Sequence, residues 1–487
     1  MELPLRRKGW QSSLGIHCEI PCAARLLERQ STASPAFLSE QEWFMQNRLS
    51  PLFVCAFLLV GASDSTQESA DVAKRAADTS KESQSCIDCH RSGAAPLAVQ
   101  QWARSRHAQV GIGCYECHQA DKERPDGFEH FGQRISVMVT PKSCGTCHAQ
   151  EARAFQASHH AQAGQILGSL DNVLGEDVEG PAAAAMGCAK CHGSVVKVVG
   201  NGKLDPATWP NEGIGRVNPD GSKGSCSVCH SRHTFSLAIA RQPESCGYCH
   251  LGPDHPQAEI YDESKHGVTY RTLIAQMNLN SPSWVLGKDY SVAPTCDTCH
   301  MGATSELAST HDVGARISWN LRPEIAIRQK DWEKKRDAMK SVCANCHAAD
   351  WVNNFYTQFD NVVDLGNEKF FKPAKDIMGK LQQAGKISPT PFDAPIKWTY
   401  FELWHHQGRR ARMGASMNGP DYVQWHGFYE VAKIFYSDFL PEAEHLLPGV
   451  TSAVKESSYH QWLKGLSAEQ RQNIREYYQE RYEQPPQ

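Results

Sequence analysis

Cys226-Ser-Val-Cys229-His230-Ser-Arg-His233 and, a few residues on, Cys246-Gly-Tyr-Cys249-His250 form the stretch that decides how this chain folds. Two Cys-x-x-Cys-His units begin 20 residues apart, and six more follow the same spelling. They are Cys86-Ile-Asp-Cys89-His90, Cys114-Tyr-Glu-Cys117-His118, Cys144-Gly-Thr-Cys147-His148, Cys188-Ala-Lys-Cys191-His192, Cys296-Asp-Thr-Cys299-His300 and Cys343-Ala-Asn-Cys346-His347. The motifs use 16 of the 19 cysteines. Each pair can hold the two vinyl groups of one haem c through thioethers, with the following His reaching the iron. Paired Cys-x-x-Cys units also make four-thiolate zinc sites, but zinc does not ask for a His after every second cysteine. Chance placement of all eight is on the order of 10⁻¹¹. A disulfide framework fails on the same ground. The expectation is eight haem c groups, attached through all sixteen cysteines.

Working outward, 487 residues are enough for a large core, and a net charge of −4 leaves no basic footprint for nucleic acid. Motif starts are spaced irregularly, from 20 to 50 residues, which argues against identical repeats. Few Val/Ile/Thr alternations occur, so the expected fold is mainly α, with a haem-packed core and a C-terminal helical region. The expected parts are an octahaem domain over 86–349 and helical residues 350–487. Helix-compatible stretches there include Lys369–Ala384, Tyr429–Phe439 and Ser467–Arg481. Gly200–Gly224, rich in Gly, Pro, Asn and Asp, reads as a surface loop.

The N-terminal end reads separately. Leu52-Phe-Val-Cys-Ala-Phe-Leu-Leu-Val60 is an apolar run behind Met45-Gln-Asn-Arg48, with small residues at Gly61-Ala62. That is a cleavable secretory signal over 45–62, preceded by a non-native extension, 1–44, and followed by a polar linker, 63–85. Export and covalent haem both place the mature chain in the periplasm or an equivalent compartment, soluble after cleavage.

Fourteen histidines lie outside the motifs. Those expected as second iron ligands are His107, His130, His159, His160, His233, His266, His311 and His406, beside the motif ligands His90, His118, His148, His192, His230, His250, His300 and His347. His445 and His460 read as ordinary surface residues. An iron with two His ligands passes electrons but holds no substrate; chemistry needs one open face with an acid or base over it. Asp254-His255, between Pro253 and Pro256, could supply that base, or could equally be a helix cap and a haem ligand. Arg409, Arg410 and Arg412 could pair with haem propionates. Tyr422 follows Gly419-Pro-Asp, a turn that could push its ring outward.

With Gly252-Pro-Asp-His-Pro256, Thr310-His-Asp-Val-Gly314, Ile317-Ser-Trp319 and the Trp404-His-His…Gly-Pro-Asp-Tyr422…Trp-His-Gly427 block, the chain resembles the octahaem hydroxylamine oxidoreductase family from Cys86 to about Glu442. The resemblance implies a catalytic haem on Cys188, Cys191 and His192, with Asp254 and His255 over it. It implies seven relay haems with two His each, and Tyr422 reaching the catalytic porphyrin of a neighbouring subunit in a homotrimer. It implies oxidation of hydroxylamine to nitric oxide or nitrite, or of hydrazine, with a soluble or membrane-bound cytochrome as electron acceptor. A nitrite or hydroxylamine reductase and a non-catalytic electron carrier are the alternatives. Met413 stands where the resemblance leads one to expect His.

Overall fold

In Cys-x-x-Cys-His, the first Cys, second Cys and His fall at i, i+3 and i+4, which one helical turn brings to one face. The chain accordingly spends its first two thirds on short helices, many of them built around a motif. The computed structural model describes Val72, residues 74–166 and residues 170–483. The expected signal peptide and the residues before it lie outside this set.

Motif helices run over Lys81–His90, Cys114–His118, Cys188–His192 and Cys296–His300, and the eighth motif starts at the end of Trp332–Cys343. Their starts carry sequence-coded caps. Ser80 accepts from the amide of Ser83, Thr295 from that of Thr298, and Pro141 and Pro243 occupy first helical positions. Strands are minor: three two-stranded antiparallel ribbons, each strand two or three residues long, among the described residues. The fold is mainly α, as expected.

The run expected as a polar linker is partly built structure. Lys81–Ser85 belong to the first motif helix, and Val72 packs with Ile87, Val99, Trp102 and Ala108 in a small core. Its polar composition reflects one wetted face of a helix, which a composition reading takes for a linker.

Beyond the last motif the chain changes character. Ala349–Gly366, Lys372–Gln383, Pro395–Phe401, Arg409–Ser416 and Leu440–Leu446 are helices, joined in part by π-helical turns at Asn367–Phe371, Glu402–Gly408 and Ile434–Phe439. They enclose a core of Phe371, Leu381, Ile396, Leu403, Phe435 and Phe439. Burial of each such side chain stabilises by about 1.5–3 kcal/mol. His460, expected at the surface, is fully buried against this block, its Nδ1 2.7 Å from the Tyr436 hydroxyl. No helix among the described residues is long and apolar enough to cross a membrane.

Candidate haem-lined active site

The motifs open onto one internal space of about 3590 Å³, several times the roughly 300–1,000 Å³ of a single small-ligand pocket. All eight motif histidines and every motif cysteine except Cys346 line it. All sixteen thiols are free, and among the described residues no group of three or more His, Cys, Asp or Glu is arranged to hold a bare metal ion. That fits a set of large, flat, covalently held groups.

The histidines test the fit further. Two imidazoles trans on one iron, each bonded at about 2 Å, stand about 6 Å apart between ring centres. Six motif rings face a second ring at that spacing. The pairs are His90 with His130 at 6.2 Å, His118 with His233 at 6.4 Å, His148 with His107 at 6.1 Å, His230 with His311 at 6.3 Å, His250 with His160 at 6.0 Å and His347 with His266 at 6.2 Å. Burial pushes His160 and His230 down to about 4 and His250 down to about 3, with neighbouring charges adding to it. The neutral imidazole this favours is the ligating form.

His192 and His300 have no second imidazole at this spacing among the described residues. His159 packs beside Gly314, next to Val313, a neighbour of His300. His406, expected as a ligand, does not line the cavity; its ring lies against Phe401 and His405 in the π-helical turn. Helical spacing turns His405 inward and its neighbour away.

His192 ends its motif helix on Gly193, whose φ of +82° only glycine adopts easily. The wall behind it is the second half of the stretch expected as a surface loop; the first half is largely exposed. Ile214 and Gly215 donate to the carbonyls of Cys191 and His192, and a Cβ on Gly213 would stand 2.0 Å from the Gly193 nitrogen. Arg216 is fully buried here, bonded to Asn218, the Asn211 carbonyl and the Val139 carbonyl. The loop's glycines serve close packing behind a motif, and its polar residues satisfy one another.

On the cavity side, burial lowers the His192 pKa, and the charge of His255 lowers it further. His255 also lies 6.3 Å from His250, but its Nε2 is turned to Asp254 Oδ1 at 3.4 Å. Asp254 is held from its other oxygen by Arg409 Nη1 at 2.8 Å. Arg409 also donates to the Arg322 carbonyl and contacts His405 Nε2 at 2.8 Å. The arginines expected at propionates are otherwise engaged. Arg412 is spent on the carbonyls of Gly408, Pro323, Glu324 and Trp404, and Arg410 on Gln407 and Glu430. Met413 is buried, accepting from Gln257, whose Oε1 lies 3.4 Å from His250 Nδ1.

Tyr422 does not line its own chain's cavity. It is half-buried on the helix Pro420–Val423, 5.6 Å from the His426 ring, with Trp425 and Tyr429 exposed nearby.

The motifs lie near one another as one connected series. Burial pushes several thiols up, and a thiol of another motif adds to it: Cys86 for Cys114, Cys144 for Cys117, Cys246 for Cys229 and Cys343 for Cys299. Cys144 neighbours Cys226, Cys191 neighbours Cys249, and Cys246 neighbours Cys296. The fourth motif joins the others through the sixth.

Comparison with known proteins adds the relationship. Residues 215–392 match the family described as "Seven times multi-haem cytochrome CxxCH", and residues 60–119 and 143–231 match "Cytochrome c554 and c-prime". A "Probable nitrite reductase-hydroxylamine oxidoreductase fusion protein" of Kuenenia stuttgartiensis is 28% identical over 374 residues. That match covers 64% of this chain and 39% of the fusion protein, so the chain spans about two fifths of that relative's length. A solved "Hypothetical multiheme protein" is 25% identical with a TM-score of 0.69, over 79% of this chain and 99% of that one. A reducing HAO-like protein complex of Kuenenia stuttgartiensis shares the fold, at 21% identity and a TM-score of 0.59, over 77% of this chain and 87% of that one.

Proposed function

For this multihaem c-type cytochrome of the hydroxylamine oxidoreductase-like family, we propose eight haems in an extracytoplasmic compartment, with hydroxylamine oxidised to nitric oxide or nitrite at the one held by Cys188, Cys191 and His192. The observation that carries this reading is the contrast around the motif histidines. Six face a second imidazole, whereas His192 has none at that spacing and lines the same space as Asp254 and His255. In the proposal His159 serves His300, and the seven remaining haems relay electrons to a cytochrome acceptor.

Bound at His192, the haem supplies an iron position for a small nitrogenous substrate and accepts its electrons. The protein's part is proton handling and exclusion of water. His255 keeps Nε2–H towards Asp254 Oδ1, which leaves Nδ1, buried without a partner, as the acceptor for a substrate proton. Asp254, fixed by Arg409, stabilises the imidazolium that forms and can take its Nε2 proton. Removing protons as electrons leave avoids a highly charged bound species.

The resemblance assigns Tyr422 to the catalytic porphyrin of a neighbouring subunit. Its half-exposed position, beside exposed Trp425 and Tyr429, suits packing against a second copy in a homotrimer. Hydrazine fits the same site. The reductive reading, nitrite or hydroxylamine reduction, is favoured by the reducing relative of shared fold.

The deciding experiment takes the periplasmically matured protein and compares hydroxylamine and hydrazine as electron donors with nitrite and hydroxylamine as acceptors. A haem-stained denaturing gel runs alongside. Oxidation, with a haem-stained species near three times the monomer mass, supports the proposal. Reduction with monomer only moves the assignment to a reductase. Absence of any high-spin ferric signal leaves an electron carrier.

A further inference from the structure

The antiparallel ribbon of Trp319–Asn320 and Ile327–Arg328 turns through Arg322-Pro-Glu324, and two arginines expected at propionates serve this turn instead. Arg409 Nε donates to the Arg322 carbonyl at 2.8 Å, and Arg412 Nη1 to the Pro323 carbonyl at 3.0 Å. Asn320 Oδ1 accepts from the Arg322 amide. The backbone of Arg322 is thereby fixed from both sides, and its side chain lines the internal space. The other arginines lining that space each donate to a carbonyl or meet a carboxylate. The Arg322 guanidinium has no hydrogen bond or ion pair among the described residues.

Its surroundings say what it lacks. Arg322 leaves surface open, yet burial lowers its pKa, so the open surface is that of the inner space. The charge of Asp254 reaches it, but Asp254 already holds Arg409 at 2.8 Å. A cation enclosed by protein is costly without a counter-ion, and a guanidinium matches a carboxylate with two parallel hydrogen bonds. A substrate anion comes and goes, and would leave this charge bare between turnovers. The position narrows the permanent anion further. The charge of Arg322 bears on His160 and His250, the ring pair 6.0 Å apart, and on His192. Two ligands of one iron stand on opposite faces of its haem, so a cation near both lies beside the rim, where propionates leave the ring. Through Arg409, the Arg322 backbone is also tied to Asp254, on the segment that follows His250.

We propose that Arg322 binds a propionate of the haem held by Cys246, Cys249 and His250. The contact is an ion pair: no covalent bond changes and no electron moves in forming it. A cation fixed there favours the reduced haem, whose iron carries one positive charge fewer. Cys249 neighbours Cys191, so this haem is next in line from the one at His192. Arg322 thereby holds up the potential of the first relay and draws electrons away from the proposed substrate haem. The ion pair itself needs haem at the sixth motif and no particular substrate.

The test uses the matured holoprotein as wild type, Arg322→Gln and Arg322→Lys, with haem-bearing peptides identified by mass. Redox titrations are followed by absorbance and by electron paramagnetic resonance, which separates the low-spin haems. In Arg322→Gln the reduction equilibrium of one low-spin haem should fall by about tenfold or more, about 59 mV for one electron, with the other midpoints as in wild type. Arg322→Lys keeps the charge and loses the fork, and should fall by about threefold. Added guanidinium ion should partly restore Arg322→Gln. Wild-type midpoints in Arg322→Gln, or in Arg322→Lys should the first fail to mature, overturn the proposal, as does an even drift of every midpoint. Wild-type midpoints with weakened nitrite binding would overturn it in favour of a substrate residue, and a wild type without haem at the sixth motif also overturns it. A wild type that turns over no nitrogenous substrate sinks the proposed function alone, because the midpoints are read without substrate.

Discussion

The chain has two kinds of interior. Between Lys81 and His347, short motif helices surround a space of about 3590 Å³, with separate apolar clusters around Trp102 and around Trp284. Between Ala349 and Glu456, longer helices close directly on Phe371, Leu403, Phe435 and Phe439. The first interior is completed by what is attached to it; the second is complete in amino acids alone. The residues to which the proposal gives proton handling come from the seam between these interiors: Asp254 from the first and Arg409 from the second, 155 positions apart in the chain.

The largest effect should come from withholding haem attachment. Made without it, the chain should lose residues 81–347 to limited proteolysis and keep a protected helical fragment near 349–456. Equal digestion of both parts would break the comparison. Next in size is the seam. Asp254→Asn should lower kcat by about 10²–10⁴-fold while the bis-His part of the optical spectrum stays as in wild type. A substitution confined to the second interior, Phe435→Ala, should cost about 3–5 kcal/mol in denaturant unfolding, with the haem spectrum unchanged. A matching change in the spectrum would mean that the two interiors are one.

The smallest effect concerns acid. Asp360 is partly buried and accepts from Arg336, Arg328 and Trp319, which hold its carboxyl at about 2. An unfolded Asp titrates near about 3.9. The folded value is the lower one, so this contribution is fully present above about pH 4 and is lost as pH falls towards 2. Unfolding measured across that window should be less steep in pH for Asp360→Asn.

What could be read in advance follows the same division. The motifs were legible because covalent attachment dictates spacing within five residues. Rings facing the motif histidines include His107, His233, His266 and His311, each in a short local context that brought it forward. Arg322 was not legible: nothing near it marks it, and its place in the cavity depends on Arg409 and Arg412, far along the chain, holding its turn. The second half of Gly200–Gly224, where Asn211, Gly213, Gly215, Arg216 and Asn218 are buried, misled for a physical reason, since glycines serve tight turns at a surface and close packing behind a motif equally well; the first half is largely exposed, as expected. His460 misled because a lone histidine carries no sign of the tyrosine that will bury it.

The thiol contacts between motifs carry a consequence for biogenesis. Cys144 and Cys226, Cys191 and Cys249, and Cys246 and Cys296 end up as neighbours, and Cys229 and Cys299 end up deep inside. Were the chain to collapse in an oxidising compartment with these thiols bare, each adjacent pair could be captured as a disulfide joining the wrong motifs. The buried ones would also be beyond reach of any attaching enzyme. The finished architecture is therefore reached most directly if thioethers form on an extended polypeptide, motif by motif, before the sulfurs come together.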